Sequence, residues 1–441
     1  MKKLTAVICR AGVFAAVLLA LWGALTAAAA VPNERIYDNM LASALYYKNA
    51  DAFPEGAQLR LRQDNYADVI LLDVAWNMGN GSPFTAALDT KYYDGNDGSF
   101  DYGENFGFYC DITGAAQPNT DYTRYWHGMA ALIRPLMLVT DVGGIKLAGV
   151  ISAFVLLALN AWLLIKRRQY FAAGALTAAF LCVHVWNIRL SMEYQPAVLV
   201  TLALLPFYIL FAEKDGALSF LAVISGVMIA FFDFLTAETL TILIPLLIVF
   251  IIRKQEGRLP VLRENIVLSV KCGGAWLLSY VGTFLVKWAA ASAVTGENKL
   301  LTALTSAEVR INGGAEELSP AAQLFLAPVA NISTLFGGTS RVDWGAVAAG
   351  IIISALALGA VFYLFRSRER YDRSFMLIML ILGAMPLARF FLLNNHSYLH
   401  EFFTYRALAS TILALLAALW YSVGFRRKKK PAKGGKKRGR A

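Results

Sequence analysis

Between residues 394 and 406 the chain reads NNHSYLHEFFTYR. His396 and His400 stand four apart, which on a helix brings both imidazoles to one face. Glu401 follows directly, and Arg389 and Arg406 flank the pair. Two imidazoles at that spacing can ligate a metal, but the HExxH arrangement is absent and no third ligand is set by the spacing. Arginine holds phosphate through paired N–H donors, so an anion site is the favoured reading of this stretch.

A second concentration lies at 119–139, NTDYTRYWHGMAALIRPLMLV, where Asp121, Arg124, His127 and Arg134 fall among Tyr122, Tyr125 and Trp126. A belt of interfacial aromatics accounts for the tyrosines and the tryptophan. It does not account for two arginines, a histidine and an aspartate so close together. The first loop is acidic, with Glu34, Asp38, Asp73 and Asp121 among its carboxylates. His184, Arg189, Glu193, Asp233, Glu238 and Lys287 add ionisable groups beside or inside apolar runs. Such groups are costly at membrane depth and usually face a cavity or a partner.

The elements that must position these groups are apolar. Of 441 residues, 58% are hydrophobic and only 16% charged, with a mean hydropathy of +0.52. Soluble domains average about 45–50% apolar and about 25% charged. Several runs reach the roughly 20 residues that cross a bilayer, so the chain reads as an all-α polytopic membrane protein. The net charge of +11 does not indicate nucleic acid, because the excess sits beside apolar runs and in the tail, where basic residues fix topology. With four cysteines, of which only Cys110 falls in a probable outer loop, no disulfide framework is expected.

The expected layout has ten spans. A first span or signal anchor occupies 1–31, and an acidic extracytoplasmic loop 32–144. Spans two to seven lie in 145–290, a second outer loop in 291–344 and spans eight to ten in 345–425, before a basic tail at 426–441. The basic segments KRR at 166–168, RKQEGR at 253–258 and RSRERYDR at 366–373 all fall on the cytoplasmic side, which puts both termini inside and the protein in the plasma membrane. All four histidines, His127, His184, His396 and His400, then map to the outer half.

Within the first loop, Ile36, Met40, Ala44 and Tyr47 repeat at helical spacing, an amphipathic helix suited to the membrane surface. Residues 66–78 read as a second helix. The Gly-, Asn- and Asp-rich YYDGNDGSFDYGENFGFYCD at 92–111 reads as loop, and its carboxylates do not match the spacing of an EF-hand. In the second outer loop, 324–335 reads as a short helix dipping toward the membrane. Asn331 and Asn395 each open a glycosylation sequon, a motif short enough to arise by chance.

One span, a large acidic outer loop opening with an amphipathic helix, many further spans and polar motifs gathered outside: this layout resembles the C-type fold of glycosyltransferases, integral enzymes that move sugar from a polyprenyl-phosphate carrier to an acceptor. RYWHG at 124–128 and HSYLHEFFTYR at 396–406 also look like motifs of uncharacterised bacterial membrane proteins of this layout. The resemblance implies an acidic residue soon after the first span, matched here by Glu34 and Asp38 within NERIYD, although the family's adjacent Asp-Glu pair is missing; either would be the base that takes the proton of the acceptor hydroxyl, with Asp73 and Asp121 behind them. It implies a polyprenyl-phosphate-linked sugar donor, a glycan, lipid or protein acceptor, and a role in the cell envelope. Arg124, His127, His396, His400 and Arg406 would then neutralise the departing lipid phosphate. No cofactor is fixed, and a divalent cation stays open. A transporter or flippase of an envelope precursor, or a non-catalytic assembly protein, are the alternatives. The apolar cytoplasmic halves of the spans speak against a polar path through the membrane.

Overall fold

A computed structural model describes residues 2–54, 56–96, 103–312, 318–365 and 372–422. The basic tail at 426–441, the Glu316-Glu317 pair, most of the basic run at 366–373 and the centre of the Gly- and Asp-rich loop lie outside the described residues.

All ten apolar runs are helical. They are α1 (Lys2–Ala29), α7 (Val142–Lys166), α8 (Tyr170–Cys182), α9 (Pro196–Leu210), α10 (Asp215–Phe232), α11 (Leu240–Gln255), α12 (Leu262–Thr295), α15 (Trp344–Phe365), α16 (Arg373–Leu392) and α19 (Leu408–Ser422). By length and composition, seven helical stretches of the described residues could cross a membrane; Tyr170–Cys182 and Trp344–Gly359 are apolar but shorter. Side chains on the outward faces agree with a lipid surrounding, since Leu147, Ile151, Val155 and Trp162 of α7 and Val270, Leu277, Leu278 and Val281 of α12 are all exposed. At the centre runs α11, apolar on every side and buried from Leu240 to Arg253.

Between the long helices lie α2 (Asn33–Tyr47), α3 (Asn65–Asn77), α4 (Pro83–Ala86), α5 (Glu104–Ile112), α6 (Ala130–Leu136), α13 (Lys299–Asn312), α14 (Pro320–Leu335), α17 (Asn394–Leu399) and α18 (Glu401–Thr404). A single two-stranded ladder among the described residues pairs β1 (Lys91–Tyr92) with β2 (Thr120–Asp121). The apolar stripe of α2 falls where its periodicity predicts, with Ile36, Met40, Ala44 and Tyr47 all buried. Its partner is protein and not lipid: α5, formed from residues 104–112 that read as loop, packs across it together with α3. The helix is masked in the sequence by its glycine-rich lead-in.

Hydrophobic contacts divide the core of the described residues into two large clusters, with a small third at Ala327, Ala330 and Tyr398. One joins α7 to α11 with α16 and α19; the other joins α1, α2, α3, α5 and α6 to one face of α10 and α12. At one end of the bundle the basic turns meet in a layer of ion pairs. Arg167 binds Glu213 and Glu256, each at 2.8 Å, Arg253 binds Asp215 at 2.6 Å, and Lys254 binds Asp372 at 2.5 Å. The 32–144 segment and the 394–406 stretch gather at the other end.

Several charges singled out in the sequence are structural ties there. Arg134 is fully buried and donates to the carbonyls of Ala28 (2.9 Å), Ala75 (2.6 Å) and Val31, capping the C-terminal ends of α1 and α3. Asp68 accepts from the Tyr47 hydroxyl at 2.9 Å, the Ser191 hydroxyl at 2.9 Å and the Met192 amide at 2.7 Å, and pairs with Lys146 at 2.5 Å. It thereby locks α2, α3, α7 and the 185–194 turns together. Both sequon asparagines are buried, and Asn331 bridges α14 to the carbonyl of Ser397 and the hydroxyl of Thr404.

Candidate functional site

A cavity of about 270 Å³ opens on the seam between the two core clusters. That is just under the roughly 300–1,000 Å³ of small-molecule sites. Five elements supply its walls: the lead-in to α3, the 122–125 stretch, the turn at Glu193, the α10–α11 turn at Phe234 and the 396–403 stretch.

Each wall carries one part of the chemistry. Asp64 is the N-cap of α3 and accepts from the Ala67 amide at 2.8 Å, so the start of that helix fixes its carboxylate. Burial pushes the Asp64 carboxyl up to about 7; Asp68 adds to the rise, and the Ala67 amide, Arg62 and Lys146 oppose it. Glu193 contributes a second buried carboxylate, from a turn ordered by the Ser191 hydroxyl. Facing these acids are Arg124, His396 and His400. The guanidinium of Arg124 lies 4.4 Å from the Tyr122 ring and 5.6 Å from the Tyr125 ring, and no carboxylate among the described residues forms an ion pair with it. The imidazoles of His396 and His400 are 4.8 Å apart, although the helix is interrupted at His400, where α17 ends and α18 begins. Phe403 stacks on His400 at 5.2 Å with an interplanar angle of 15°. Phe53, Tyr66, Tyr122, Tyr125, Phe234 and Phe403 make the remainder of the lining largely aromatic.

Of the residues expected from sequence, Arg124, His396 and His400 are brought together in this cavity. Glu34 and Asp38 are not: both stand exposed on α2, on the side opposite its buried stripe, and neither lines the cavity. His127 braces the wall from behind. Its Nε2 donates to the Tyr122 carbonyl at 2.7 Å, its ring packs against Tyr122, Tyr125 and Phe234, and burial lowers its pKa to about 3, so it stays neutral. The Trp126–Gly128 part of RYWHG is thus a packing motif: Gly128 donates to the Phe231 carbonyl at 3.0 Å, and a Cβ there would sit 2.4 Å from that oxygen. Arg406 turns away from the cavity, buried over the rings of Tyr194 (4.5 Å) and Tyr405 (5.1 Å). Glu401 is fully buried and bonded to Arg341 at 3.2 Å.

Asp64 was one acid among many in the loop, and the signal that separates it is its place as the cap before the apolar run of α3. Glu193 was visible as a charge in a short turn between apolar runs, but nothing in the sequence paired it with Asp64. Backbone strain marks the same region. Of the four non-glycine residues with positive φ among the described residues, His127, His184 and Leu235 (53°, 54° and 70°) lie in or beside this region, and Arg168 (61°) lies in the basic turns at the other end.

Beside the cavity runs a groove of about 810 Å³ between α11, α12 and α16, lined almost wholly by apolar side chains such as Ile242, Leu246, Leu277, Ile381 and Met385. It ends at Leu235, Glu238, Arg389 and Leu393. Leu235 adjoins Phe234 of the cavity wall. Arg389 forms a two-pronged pair with Glu238 (3.0 and 3.2 Å) and donates to the Ser397 hydroxyl at 2.9 Å and the Leu235 carbonyl at 2.5 Å. One arginine thus joins the head of the groove to the histidine-bearing stretch. No group of three or more His, Cys, Asp or Glu side chains among the described residues is arranged to hold a metal ion.

No family model matches the chain, and neither does any curated protein or solved structure.

Proposed function

We propose that this protein is a membrane glycosyltransferase of the C-type fold, moving a sugar from a polyprenyl-phosphate carrier to an acceptor at the outer face of a bacterial plasma membrane, in building the cell envelope. The observation that carries this reading is the meeting of an acid–base cavity with a lipid-sized groove. Asp64, its carboxyl lifted to about 7, is poised to take the proton of an acceptor hydroxyl near neutral pH. Glu193 stands beside it to hold the hydroxyl. Arg124, His396 and His400 face these acids, where charge would develop on the departing phosphate. The aromatic lining offers flat apolar surfaces to a sugar ring. The isoprenoid chain would lie between α11, α12 and α16, a place that only a membrane protein can provide.

Asp64 takes the role the sequence reading gave to Glu34 and Asp38, because of these three only Asp64 lines the cavity. The ten helical runs would all be spans, with both termini cytoplasmic. The ion-paired basic turns at the opposite end from the cavity fit that orientation.

The test is a substitution series in cells, Asp64→Asn, Arg124→Gln and His396→Gln, with extracted carrier-linked sugars and surface glycans compared at equal protein levels. Accumulation of carrier-linked sugar in all three supports transfer. Unchanged carrier-linked sugars and glycans throughout would remove the reading.

A further inference from the structure

At the end of the bundle where the basic turns meet lies a further cavity, of about 360 Å³, within the range of small-molecule sites. Its walls are the start of α10, the end of α11 and the first turns of α12, and it shares no residue with the acid–base cavity or the apolar groove. Three cations line it, Arg253, Arg263 and Lys271, against two acids, Asp215 and Glu264. One positive charge is therefore in excess.

These cations differ from their neighbours. Arg167, Lys254 and Arg258 at the same end are each held by a carboxylate, whereas Arg263 and Lys271 form no ion pair among the described residues. Arg253 is 5% exposed. Its Nε donates to the Ala212 carbonyl at 2.7 Å and its Nη2 to Asp215 at 2.6 Å, while its Nη1 has no hydrogen bond among the described residues. Donors on buried side chains are nearly always satisfied, so this nitrogen in the cavity wall calls for an acceptor. The backbone adds to the same field. α12 is 34 residues long, and its N-cap Val261 gives no side-chain bond to the first-turn amides. The positive end of that helix therefore opens on the cavity, whose wall includes Val261 and Arg263.

We propose that this cavity binds the headgroup phosphate of an anionic phospholipid in the leaflet at this end of the bundle, the cytoplasmic one in the proposed orientation. The single negative charge of a phosphodiester matches the one excess cation of the lining, and a zwitterionic headgroup, which brings its own cation, does not. The wall also runs on into a lipid-facing surface. Arg263, Val267 and Lys271 stand four apart on one face of α12, and Leu278, two turns further, continues it. Val267 is 43% and Leu278 77% exposed, so acyl chains find apolar surface directly beside the cations. Helical side chains lean toward the helix start, and the long stem of Lys271 lets its ammonium snorkel to the headgroup level. A soluble phosphate would use the cations and leave this apolar continuation idle. Basic pockets between helices on the cytoplasmic side are a recurrent means of holding anionic headgroups. The inference goes beyond sugar transfer and rests only on the membrane reading of the bundle.

The test uses the full chain in neutral detergent. Phosphatidylglycerol or phosphatidylcholine of matched chains is titrated in, and bound lipid is counted by native mass spectrometry. Phosphatidylglycerol is expected to be retained at concentrations where phosphatidylcholine is not. Arg263→Gln with Lys271→Gln changes two exposed side chains, which spares the fold, and should weaken that binding by about tenfold or more, the size of one lost charge-assisted hydrogen bond. Lys166→Gln with Arg168→Gln removes the same charge from exposed positions at the same end but outside the cavity, and should leave binding nearly unchanged. Equal retention of the two lipids or undiminished binding in the first variant overturns the site. So does an equal loss in the second, because it would report only attraction to a basic surface. Glycerol 3-phosphate that displaces the lipid as well as free phosphatidylglycerol does would overturn the phospholipid assignment in favour of a soluble phosphate. Transfer activity is not read, so failure here is distinct from failure of the transferase reading.

Discussion

Replacing Asp64 by asparagine should make the protein more stable and less active, an opposition that a purely structural residue would not produce. Asparagine caps a helix as well as aspartate does, so the bond from the Ala67 amide survives and α3 keeps its start. The change removes the titrating carboxyl. Raising that group from 3.8 to about 7 corresponds to at most about 4 kcal/mol between its two protonation states. Between about pH 4 and 7 the folded protein holds the proton while the unfolded chain has released it. Wild-type stability therefore falls as pH rises through that window and is flat above it. The asparagine variant does not titrate there. Its advantage should be near zero at pH 4, grow to about pH 7 and then level off. Thermal unfolding in detergent at several pH values reads the effect directly. Turnover should fall by about 10²–10⁴-fold, the usual contribution of a general base, and the wild-type rate should climb with pH to a plateau above about 7. A variant less stable than wild type at pH 8, or one whose turnover stays within about threefold of wild type, would refute the assignment of Asp64 as the base.

Other substitutions separate the remaining parts. Arg124→Gln should lower turnover by about 10²–10³-fold with little change in unfolding temperature, because its guanidinium rests on tyrosine rings and holds no salt bridge; steady-state kinetics with unfolding data decide this. Gly273 and Gly274 line the groove, and a Cβ on either meets nothing within 4 Å. Leucine at either position should project into the groove, raising KM for a long-chain carrier while leaving a short-chain analogue unaffected; equal effects on both chain lengths would exclude the groove as the tail site. Arg389→Ala leaves Glu238 buried and unpaired and should cost about 3–5 kcal/mol, whereas Arg389→Met with Glu238→Leu should recover most of it. Unfolding midpoints of the single and double variants measure the difference.

The helices were legible and the cavity only in part, for a physical reason. Period-3.6 patterning reports a face, and α2 shows that it reports the face correctly: Ile36, Met40, Ala44 and Tyr47 are the residues buried. It does not report what covers that face. Lipid and a protein helix satisfy the same stripe, and α5, hidden behind glycines and aspartates, turned out to be the cover. Functional residues fail in a parallel way. His396, His400 and Arg124 could be found because their types are unusual for the apolar stretches around them. Arg134 and His127 were equally unusual, yet one caps the ends of two helices and the other props a strained turn. A rare residue type thus marks a position where the backbone or a ligand needs a polar partner, without saying which.

What separates the two cases is whether the polar atoms are spoken for. Arg134 bonds backbone carbonyls with all three of its nitrogens, and Arg389 is shared among Glu238, Ser397 and Leu235. Both can be understood as parts of the scaffold. Arg124 has no carboxylate partner among the described residues, and two nitrogens of Arg406 are buried with no acceptor. Folding alone gives no reason to desolvate such guanidiniums, because leaving them in water would be cheaper. Arg124 is only half-buried, on the wall of the cavity, where an incoming anion can reach and complete it.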